Sequence, residues 1–410
     1  MGPKSICWLA PALAALAYFC VFPERAQNKS LPRPMDEYER TLVALERYRL
    51  LAAQDEGTLL PETAQPVEAG DSYEGVPRLI RLLTLIGDLP ADAVLADSGV
   101  YDGPLVAAVE RFQVRHGLEP DGRIDQATLT QLNTPLAFRV HQLELALERW
   151  RRRPYDPGRP VIVLNLPEFR LRAFRGNRLE LEMKIVDGQP PDRRTPLLSS
   201  ELETIVFRPY WNVPVSITRD ELIQEIVKDP SFLRDNHLDM VGLRGDVVEG
   251  AASDEMLARL RTGALKLRQA PGPKNVLGLV KFEFPNSYGI YMHATSAPWL
   301  FSQARRDLSH GCIRVENAED LAEWALRDEP GWPRDRIEDA MQGSEPVAVR
   351  LKRPIQLVTI YVTAMALENG EVRFFDDIYG EDEALEKELT QRAARSVSRG
   401  KLSVRLSGDP

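Results

Sequence analysis

Residues 288–315 read YGIYMHATSAPWLFSQARRDLSHGCIRV, and our expectations for the architecture and the chemistry of the chain start from these residues. An apolar run typical of a β-strand ends at His293, and a loop leads from there towards Cys312, nineteen residues later. A free thiol has a pKa of about 8.5, so only roughly 3% of it is the nucleophilic thiolate at neutral pH. A neighbouring imidazole can take the proton and lower that pKa, and His293 and His310 are both candidates for this base.

The residues next to Cys312 favour acyl transfer at the thiol. Gly311 allows a second chain, such as a substrate, to approach the backbone closely, and the N–H groups of Gly311 and Cys312 can point at a carbonyl oxygen under attack. In a strand-like turn Arg314 faces the same side as Cys312, where it would meet substrate carboxylates. Tyr291 lies two residues before His293 and shares its strand face. The pattern therefore predicts a cysteine nucleophile beside a positive charge.

The cysteines indicate the compartment. The chain has three, and Cys7 and Cys20 lie within the apolar segment 6–22. An apolar segment close behind a single positive charge is typical of a secretory signal or an amino-terminal membrane anchor. We expect residues 1–26 to be this signal or anchor, with the inner membrane as a partner and the remaining chain in the periplasm. Cys312 would then be the one exported thiol, in an oxidising compartment.

Composition and charge place the chain among soluble globular proteins. Its 410 residues are 43% hydrophobic and 28% charged, which is enough for two or three domains. The formal net charge of -9 argues against nucleic acid as a partner, because proteins that bind nucleic acid usually present a basic surface. This charge remains compatible with a neutral or zwitterionic substrate.

Helical periodicity dominates the amino-terminal part of the chain. We expect a helical scaffold at residues 27–77 and 135–157, in which the helices 36–54 and 135–151 pair and bracket what lies between them. The bracketed residues, 78–134, are predicted to form a small all-α module.

From residue 158 onwards, strand patterns replace the helical ones. Short segments rich in β-branched and large apolar residues, bounded by Pro or Gly-Asn turns, predict a β-rich, sandwich-like domain over residues 158–378. Residues 217–262 break this pattern with helical stretches and are predicted to be an insertion that caps the domain. Residues 379–410 are predicted to be a charged tail. The expected fold is thus α+β and multidomain, with a β-rich domain, a helical insertion, an all-α module and scaffold helices.

The segment around Cys312 resembles the L,D-transpeptidase catalytic domain of the YkuD type. The signature of that family is a histidine followed by Ser-His-Gly-Cys, with Arg or Asn two residues later. The resemblance implies that Cys312 is the nucleophile and that His293, rather than His310, is the base. The other residues that it places at the site are Gly311 in the catalytic loop and, for substrate binding, Arg314, Tyr291, Ser309 and His310. The segments that carry the resemblance are YWNVP (210–214), QAPGPKNVLG (269–278), KFEFPNSYGIYMHAT (281–295), SHGCIRVENAEDLAEW (309–324) and DIYGED (377–382).

The resemblance also implies an activity and partners. In that family the cysteine attacks a peptidoglycan stem tetrapeptide between diaminopimelate and the terminal D-alanine, and the acyl group passes to an amine of a second stem. Peptidoglycan stem peptides are therefore the implied substrates and β-lactams of the carbapenem class the implied covalent inhibitors, with no cofactor and no metal. The chain resembles the larger Gram-negative subgroup, which has an anchor, a helical scaffold, a peptidoglycan-binding-like module and an inserted capping subdomain. The run VERFQVRHGLEPDGRIDQATLTQLN (109–133) resembles that module.

Three alternatives remain at this stage. An L,D-carboxypeptidase would use the same residues with water as the acceptor, and a wall-binding scaffold would lack catalysis. A zinc site could be built from His293, His310 and Cys312. The histidines that we assign to satisfied core positions are His116, His141 and His237.

Overall fold

The computed structural model describes residues 37–95, 99–151, 155–176 and 178–392. The predicted anchor at residues 1–26 lies outside these ranges. Within them, no helix has both the length and the apolar character that crossing a membrane would require. The anchor therefore stays a prediction from the sequence.

The amino-terminal part is helical, as its periodicity predicts. Its elements are α1 (Glu37–Gln54), β1 (Asp71–Ser72), α2 (Val76–Ile86), β2 (Val100–Tyr101), α3 (Pro104–Arg115), α4 (Gln126–Leu132) and α5 (Leu136–Trp150). Helices α1 and α5 pack against each other, with Leu45 and Leu143 buried and Arg49 paired to Glu144 at 2.8 Å. The pairing of the two scaffold helices expected from the sequence is thus present.

A buried glutamine organises the turn between α3 and α4. The side-chain amide of Gln113 donates to the Thr128 hydroxyl at 3.1 Å and accepts from the Gly122 N–H at 2.8 Å. Asp125 caps α4, because its carboxylate accepts from the Thr128 N–H at 2.8 Å. Asp125 therefore has a structural task at the start of this helix.

A first group of strands follows the helices. These are β3 (Val161–Asn165), β4 (Arg170–Arg175), β5 (Arg178–Gly188) and β6 (Ser199–Phe207). All five residues of β3 are buried, because one face lies in the sheet interior and the other packs on the helical part.

The inserted subdomain is larger and less helical than the sequence predicts. Its elements are β7 (Trp211–Asn212), α6 (Val215–Ile217), a π-helical turn (Thr218–Leu222), α7 (Ile223–Lys228), α8 (Phe232–Asp235), β8 (Leu238–Val241), α9 (Asp254–Thr262) and β9 (Lys266–Gln269). β9 pairs with both β7 and β8 in a three-stranded antiparallel sheet. The insertion predicted at 217–262 therefore extends to 211–269, since its outer strands are too short to leave a period-2 pattern. It has a small hydrophobic core of its own.

The chain then returns to the main sheet. The elements are β10 (Val280–Glu283), β11 (Met292–His293), β12 (Asp307–Ser309), β13 (Ile313–Val315), α10 (Ala318–Leu326), α11 (Arg334–Gln342) and β14 (Val347–Ile360). The strand order is β12-β5-β13-β11-β10-β6-β14-β3-β4, and β4 pairs with β5, so the sheet closes on itself. Phe207, Phe282 and Leu357 lie fully buried in its core. The predicted α+β class with a β-rich domain is confirmed. The closure of the sheet through the β4–β5 pairing was not predicted from the sequence.

The last elements pack back onto the helical part. The hairpin β15 (Ala364–Ala366) and β16 (Val372–Phe374) contacts α1, α3 and α5. Residues 381–392 are helical, and Tyr379 and Asp382 are buried. Asp382 accepts from the Thr363 hydroxyl at 2.5 Å and pairs with Arg149. The start of the segment predicted as a tail is thus part of the folded core.

A buried ion pair ties α3 to this hairpin, and its removal should destabilise the protein. The Arg115 guanidinium donates to the Asp88 carboxylate and to the Val372 carbonyl, and both charged side chains are almost wholly buried. We expect Asp88→Ala to lower the free energy of unfolding by about 3–5 kcal/mol, because it leaves a buried charge without its partner. Chemical denaturation would measure the change. Glu46→Ala breaks an exposed ion pair with Arg49 and should produce no measurable change. An equal effect of both variants would contradict this account.

Candidate active site

Five side chains share one face of the sheet where β10, β11 and β13 lie side by side. The register places Lys281 of β10 and Arg314 of β13 directly opposite His293 of β11. Side chains on one face recur every second residue, so Tyr291 lies on the face of His293 and Cys312 on the face of Arg314. The register therefore brings together the predicted nucleophile, the predicted base and two predicted substrate contacts.

The Cys312 thiol is partly buried and lies against Tyr291. Burial raises the pKa of the thiol, while hydrogen bonds from Tyr291 and the charges of Lys281 and Arg314 oppose that rise. The Tyr291 hydroxyl also receives a hydrogen bond from the indole of Trp211, a residue of the inserted subdomain. Because the effect of burial is the largest, the thiol stays protonated at neutral pH.

The His293 imidazole is buried and neutral. Burial, followed by the nearby charges of Arg314 and Lys281, lowers the pKa of His293 to about 3. Its Nδ1 lies 2.6 Å from the Ala294 carbonyl oxygen. A carbonyl only accepts, so Nδ1 carries the proton and Nε2 is the basic nitrogen. The side chain therefore has the protonation state that a general base requires.

At rest, Cys312 and His293 do not form the thiolate–imidazolium ion pair that a low thiol pKa would require. Both residues lie in the described part of the chain, and no hydrogen bond there joins the His293 imidazole to the Cys312 thiol. The sequence favoured an imidazole that lowers the pKa of the thiol. In the structure, desolvation disfavours both charged forms, so a neutral thiol faces a neutral imidazole.

The loop that contains the predicted nucleophile, residues 309–312, is the nucleophile loop, and the Ser309 side chain stabilises it from within. The buried Ser309 hydroxyl donates to the Cys312 carbonyl at 2.6 Å and accepts from the Gly311 N–H at 3.0 Å. The sequence predicted a substrate contact at Ser309, and the structure gives its hydroxyl this internal task. The Gly311 N–H, expected to bind a substrate oxygen, is likewise engaged within the loop.

Gly311 is required by its backbone conformation. Its φ is +106°, a region that side-chain-bearing residues rarely adopt. Space is not the constraint, because an added Cβ would come no closer than 3.6 Å to its nearest neighbour, the Arg193 carbonyl oxygen. From the same side, the Thr195 hydroxyl donates to the Gly311 carbonyl at 2.9 Å. The connection between β5 and β6 thus supports the nucleophile loop from behind.

His310 points away from Cys312 and towards the inserted subdomain. Its Nε2 lies 2.6 Å from a carboxylate oxygen of Glu221, and the Arg193 guanidinium lies 2.8 Å from the same oxygen. All three side chains are roughly one-third to two-fifths exposed. His310 is therefore placed at the edge of the site and not beside the thiol.

Sequence reasoning did not single out Lys281, Arg193 or Glu221. Lys281 lies over the Tyr291 ring, 4.2 Å from its centroid, and pairs with Glu283 at 2.7 Å. Period-2 alternation along β10 could have placed Lys281 on the site face once the pairing with β11 was known. Arg193 lies in a loop and Glu221 in a π-helical turn, and in such segments no sequence pattern indicates where a side chain points.

The remaining histidines divide between core and surface. His116 is buried and stacks on Phe112, as expected. His141 and His237 were assigned to the core but are surface residues, and His237 occupies a left-handed turn that keeps it out of the interior. Across the described ranges, no group of three His, Cys, Asp or Glu side chains is arranged to hold a metal ion. The zinc ligand set considered from the sequence is therefore not assembled there.

The thiol environment predicts how Cys312 reacts with an alkylating agent. Because burial raises its pKa, little thiolate is present at neutral pH, and the rate should still be rising with pH at pH 9. Tyr291→Phe removes a hydroxyl that stabilises the thiolate, so it should move the midpoint of the rate profile to higher pH. Iodoacetamide rates from pH 6 to 10 would measure both effects.

Tyr288→Phe is the matched control, because Tyr288 is exposed on the same connection and should leave the profile unchanged. A midpoint near pH 6 in the unmodified protein would show that the thiol is already ionised at rest and would contradict this description.

Comparison with known families supports the interpretation of both parts of the chain. Residues 159–349 match the family described as "L,D-transpeptidase catalytic domain", and residues 74–132 match "Putative peptidoglycan binding domain". The first match contains Cys312 and His293.

Individual relatives carry the same family name. A protein of Haemophilus influenzae named "Putative L,D-transpeptidase" is 31% identical over 239 residues, which cover 58% of this chain and 48% of the relative. The chain thus spans about half the length of that relative. An L,D-transpeptidase structure from Stackebrandtia nassauensis is 11% identical, with 72% of this chain and 97% of that chain covered and a TM-score of 0.28. L,D-transpeptidase 3 of Mycobacterium tuberculosis, in complex with a faropenem-derived adduct, is 13% identical, with 49% and 59% covered and a TM-score of 0.22. On the sequence matches, this chain carries an L,D-transpeptidase catalytic domain of the YkuD type and a module of the peptidoglycan-binding type.

Proposed function

We propose that this protein is an L,D-transpeptidase that cross-links peptidoglycan stem peptides through an acyl-enzyme on Cys312. The observation that carries the proposal is the shared sheet face, on which the Cys312 thiol and the neutral His293 imidazole lie within a domain of the matching family. The register pairs His293 with Arg314, so Cys312, two residues before Arg314, lies on the adjacent strand in a diagonal position to His293. A peptide bound along this face would present its carbonyl to the thiol.

Acylation begins with proton transfer from the thiol to Nε2 of His293. The thiolate sulfur attacks the carbonyl carbon between diaminopimelate and the terminal D-alanine, and the C–N bond breaks. The imidazolium returns the proton to the leaving nitrogen, so D-alanine departs with a neutral amine and its carboxylate unchanged, and a thioester remains. Because both groups are neutral at rest, charge develops only as the thiol reacts.

The Cys312 N–H is the donor that we assign to the developing oxyanion. The Gly311 N–H is engaged by Ser309, so it does not serve that role without rearrangement of the loop. The positive φ of Gly311 orients the next peptide unit, which contains the Cys312 N–H. A preorganised donor of this kind typically contributes about 3–4 kcal/mol to the transition state.

Transfer completes the cycle when the amine of a second stem attacks the thioester. His293 takes the amine proton and returns it to the departing thiolate, so one peptide bond is exchanged for another. Arg314 and Lys281 supply positive charge on the same face, where they would attract the carboxylates of a stem peptide. Water in place of the amine would give hydrolysis, and the products distinguish the two outcomes.

A peptidoglycan substrate requires the catalytic domain to lie outside the cytoplasm. We therefore propose a periplasmic location, with residues 1–26 as the signal or inner-membrane anchor. The apolar segment 6–22 and the match of residues 74–132 to a putative peptidoglycan-binding domain support this location. The module at 74–132 is proposed to bind the wall.

Cys312→Ala should abolish cross-linking while the fold is retained. Without the thiol no acyl-enzyme forms, and loss of a nucleophile slows such enzymes by roughly a thousandfold or more. The measurement is mass spectrometry of products from purified disaccharide-tetrapeptide. The unmodified protein should yield dimers joined through the third residues of two stems, together with free D-alanine.

Cys312→Ser serves as the near-isosteric comparison and should also be inactive, because a hydroxyl is far less acidic than a thiol. Dimers formed by either variant at the unmodified rate would remove Cys312 from the mechanism. Tripeptide without dimers, made by the unmodified protein, would identify a carboxypeptidase.

Carbapenems should acylate Cys312, because the strained lactam presents the same carbonyl to the same thiol. The intact protein should gain the mass of one inhibitor molecule, and the adduct should map to the peptide that contains Cys312. Cys312→Ala should gain no mass under identical conditions. An active preparation that cross-links stems but gains no mass would refute the expectation.

A further inference from the structure

A carboxylate of the inserted subdomain occupies a basic site next to the nucleophile loop. One oxygen of Glu221 lies 2.6 Å from Nε2 of His310 and 2.8 Å from the Arg193 guanidinium. A carboxylate only accepts, so the Arg193 guanidinium donates to this oxygen, and His310 donates to it when Nε2 carries the proton. The same Nε2 also lies against the other terminal nitrogen of Arg193, which is a permanent donor, so the three side chains form one compact cluster. His310 comes from the nucleophile loop and Arg193 from the connection between β5 and β6, so two separate segments converge on one anion.

The basic site is within reach of a peptide bound at Cys312. His310 is two residues from Cys312, and the main chain at Arg193 and Arg194 flanks Gly311, where an added Cβ would lie 3.6 and 3.7 Å from their carbonyl oxygens. Arg193 is 40% exposed and His310 is 32% exposed. A substrate that lies along the loop can therefore meet both side chains.

Glu221 is held in a way that permits its displacement. It is 38% exposed, and ion pairs between half-exposed side chains contribute little in water. It also lies in the π-helical turn Thr218–Leu222, and such turns recur at functional sites. The neighbouring charges that face the pair are Asp220 and Arg219, which are paired with each other at 2.7 Å.

We propose that Arg193 and His310 form a binding site for a carboxylate of the peptide substrate, and that Glu221 fills this site when substrate is absent. The proposal rests on the proposed function and adds a specificity-determining pair to it. A bound peptide carboxylate replaces Glu221 and at the same time releases the π-helical turn from the nucleophile loop. Glu221 thus acts as an internal competitor with the substrate.

Substitutions of Arg193 and of Glu221 should have opposite effects on substrate binding. Arg193→Ala should raise the KM for a disaccharide-tetrapeptide donor roughly tenfold, because a charge-assisted contact is lost. Glu221→Gln should lower the KM roughly threefold or more, because a neutral amide competes less well for Arg193. The same pattern should appear in the Kd of the donor for these variants in a Cys312→Ala background, measured by calorimetry without turnover.

The decisive arm uses donors in which each carboxylate is amidated in turn. For one of these donors the effect of Arg193→Ala should disappear, and that donor identifies the bound carboxylate. A purely structural role of Arg193 would raise the KM for every donor equally. Arg193→Lys, which keeps the charge but not the planar fork, should restore part of the affinity.

Two variants control for charge alone. Arg234→Ala removes an 80% exposed cation of the same subdomain, and Asp220→Asn removes the anion beside Glu221. Both should leave the KM within about twofold. The proposal is overturned if no amidated donor abolishes the Arg193 effect, or if Glu221→Gln raises the KM. Failure of the unmodified protein to form any acyl-enzyme would instead overturn the proposed function.

Discussion

Main-chain pairing along β5 is the constraint on which the geometry of the candidate active site depends. Val186 pairs with Arg314 of β13, and Gly188 pairs with Ser309 of β12, so one strand holds both ends of the nucleophile loop. The buried Tyr379 hydroxyl donates to the Gly188 carbonyl at 2.5 Å and fixes the end of β5 in turn. The loop can therefore keep an unusual conformation at Gly311, because its ends are not free to relax.

The burial that fixes this geometry also sets the protonation states around it. Asp187 lies fully buried on β5, and burial, reinforced by Asp307, raises the pKa of its carboxyl well above the usual range. The same effect keeps the Cys312 thiol protonated and the His293 imidazole neutral. The site at rest is therefore a set of neutral groups flanked by the cations Lys281 and Arg314.

Local sequence patterns were sufficient for the parts of the molecule that repeat with a regular period. The scaffold helices and most strands of the β-rich domain follow from periodicity, because each buries one face against a neighbour. The assignment of His293 and Cys312 to one site was implied by the family resemblance, and the parallel pairing of β11 with β13 brings their two segments side by side.

Other features depend on contacts between distant segments and left no local pattern. The convergence of Arg193 and Glu221 on His310 joins a loop to the inserted subdomain, which sequence spacing does not encode. The sequence also could not predict that the pKa of the Cys312 thiol is raised, because this direction depends on how deeply the thiol is buried. The three-stranded sheet of the insertion was not predicted, because its strands are only two to four residues long and leave no recognisable alternation of apolar and polar residues.

The closed sheet also determines the order in which the chain can acquire its structure. β3 pairs in parallel with β14, so Val161 meets Gln356 only after nearly the whole domain is available. Contacts of such long sequence separation form slowly, because a large loop must close before they stabilise anything. The subdomain at 211–269 has its own core and local strand pairing, and it can become compact before that closure. During folding, the thiol of Cys312 would therefore stay without its buried surroundings until the last strand arrives, which makes the incompletely folded chain the form most open to oxidation.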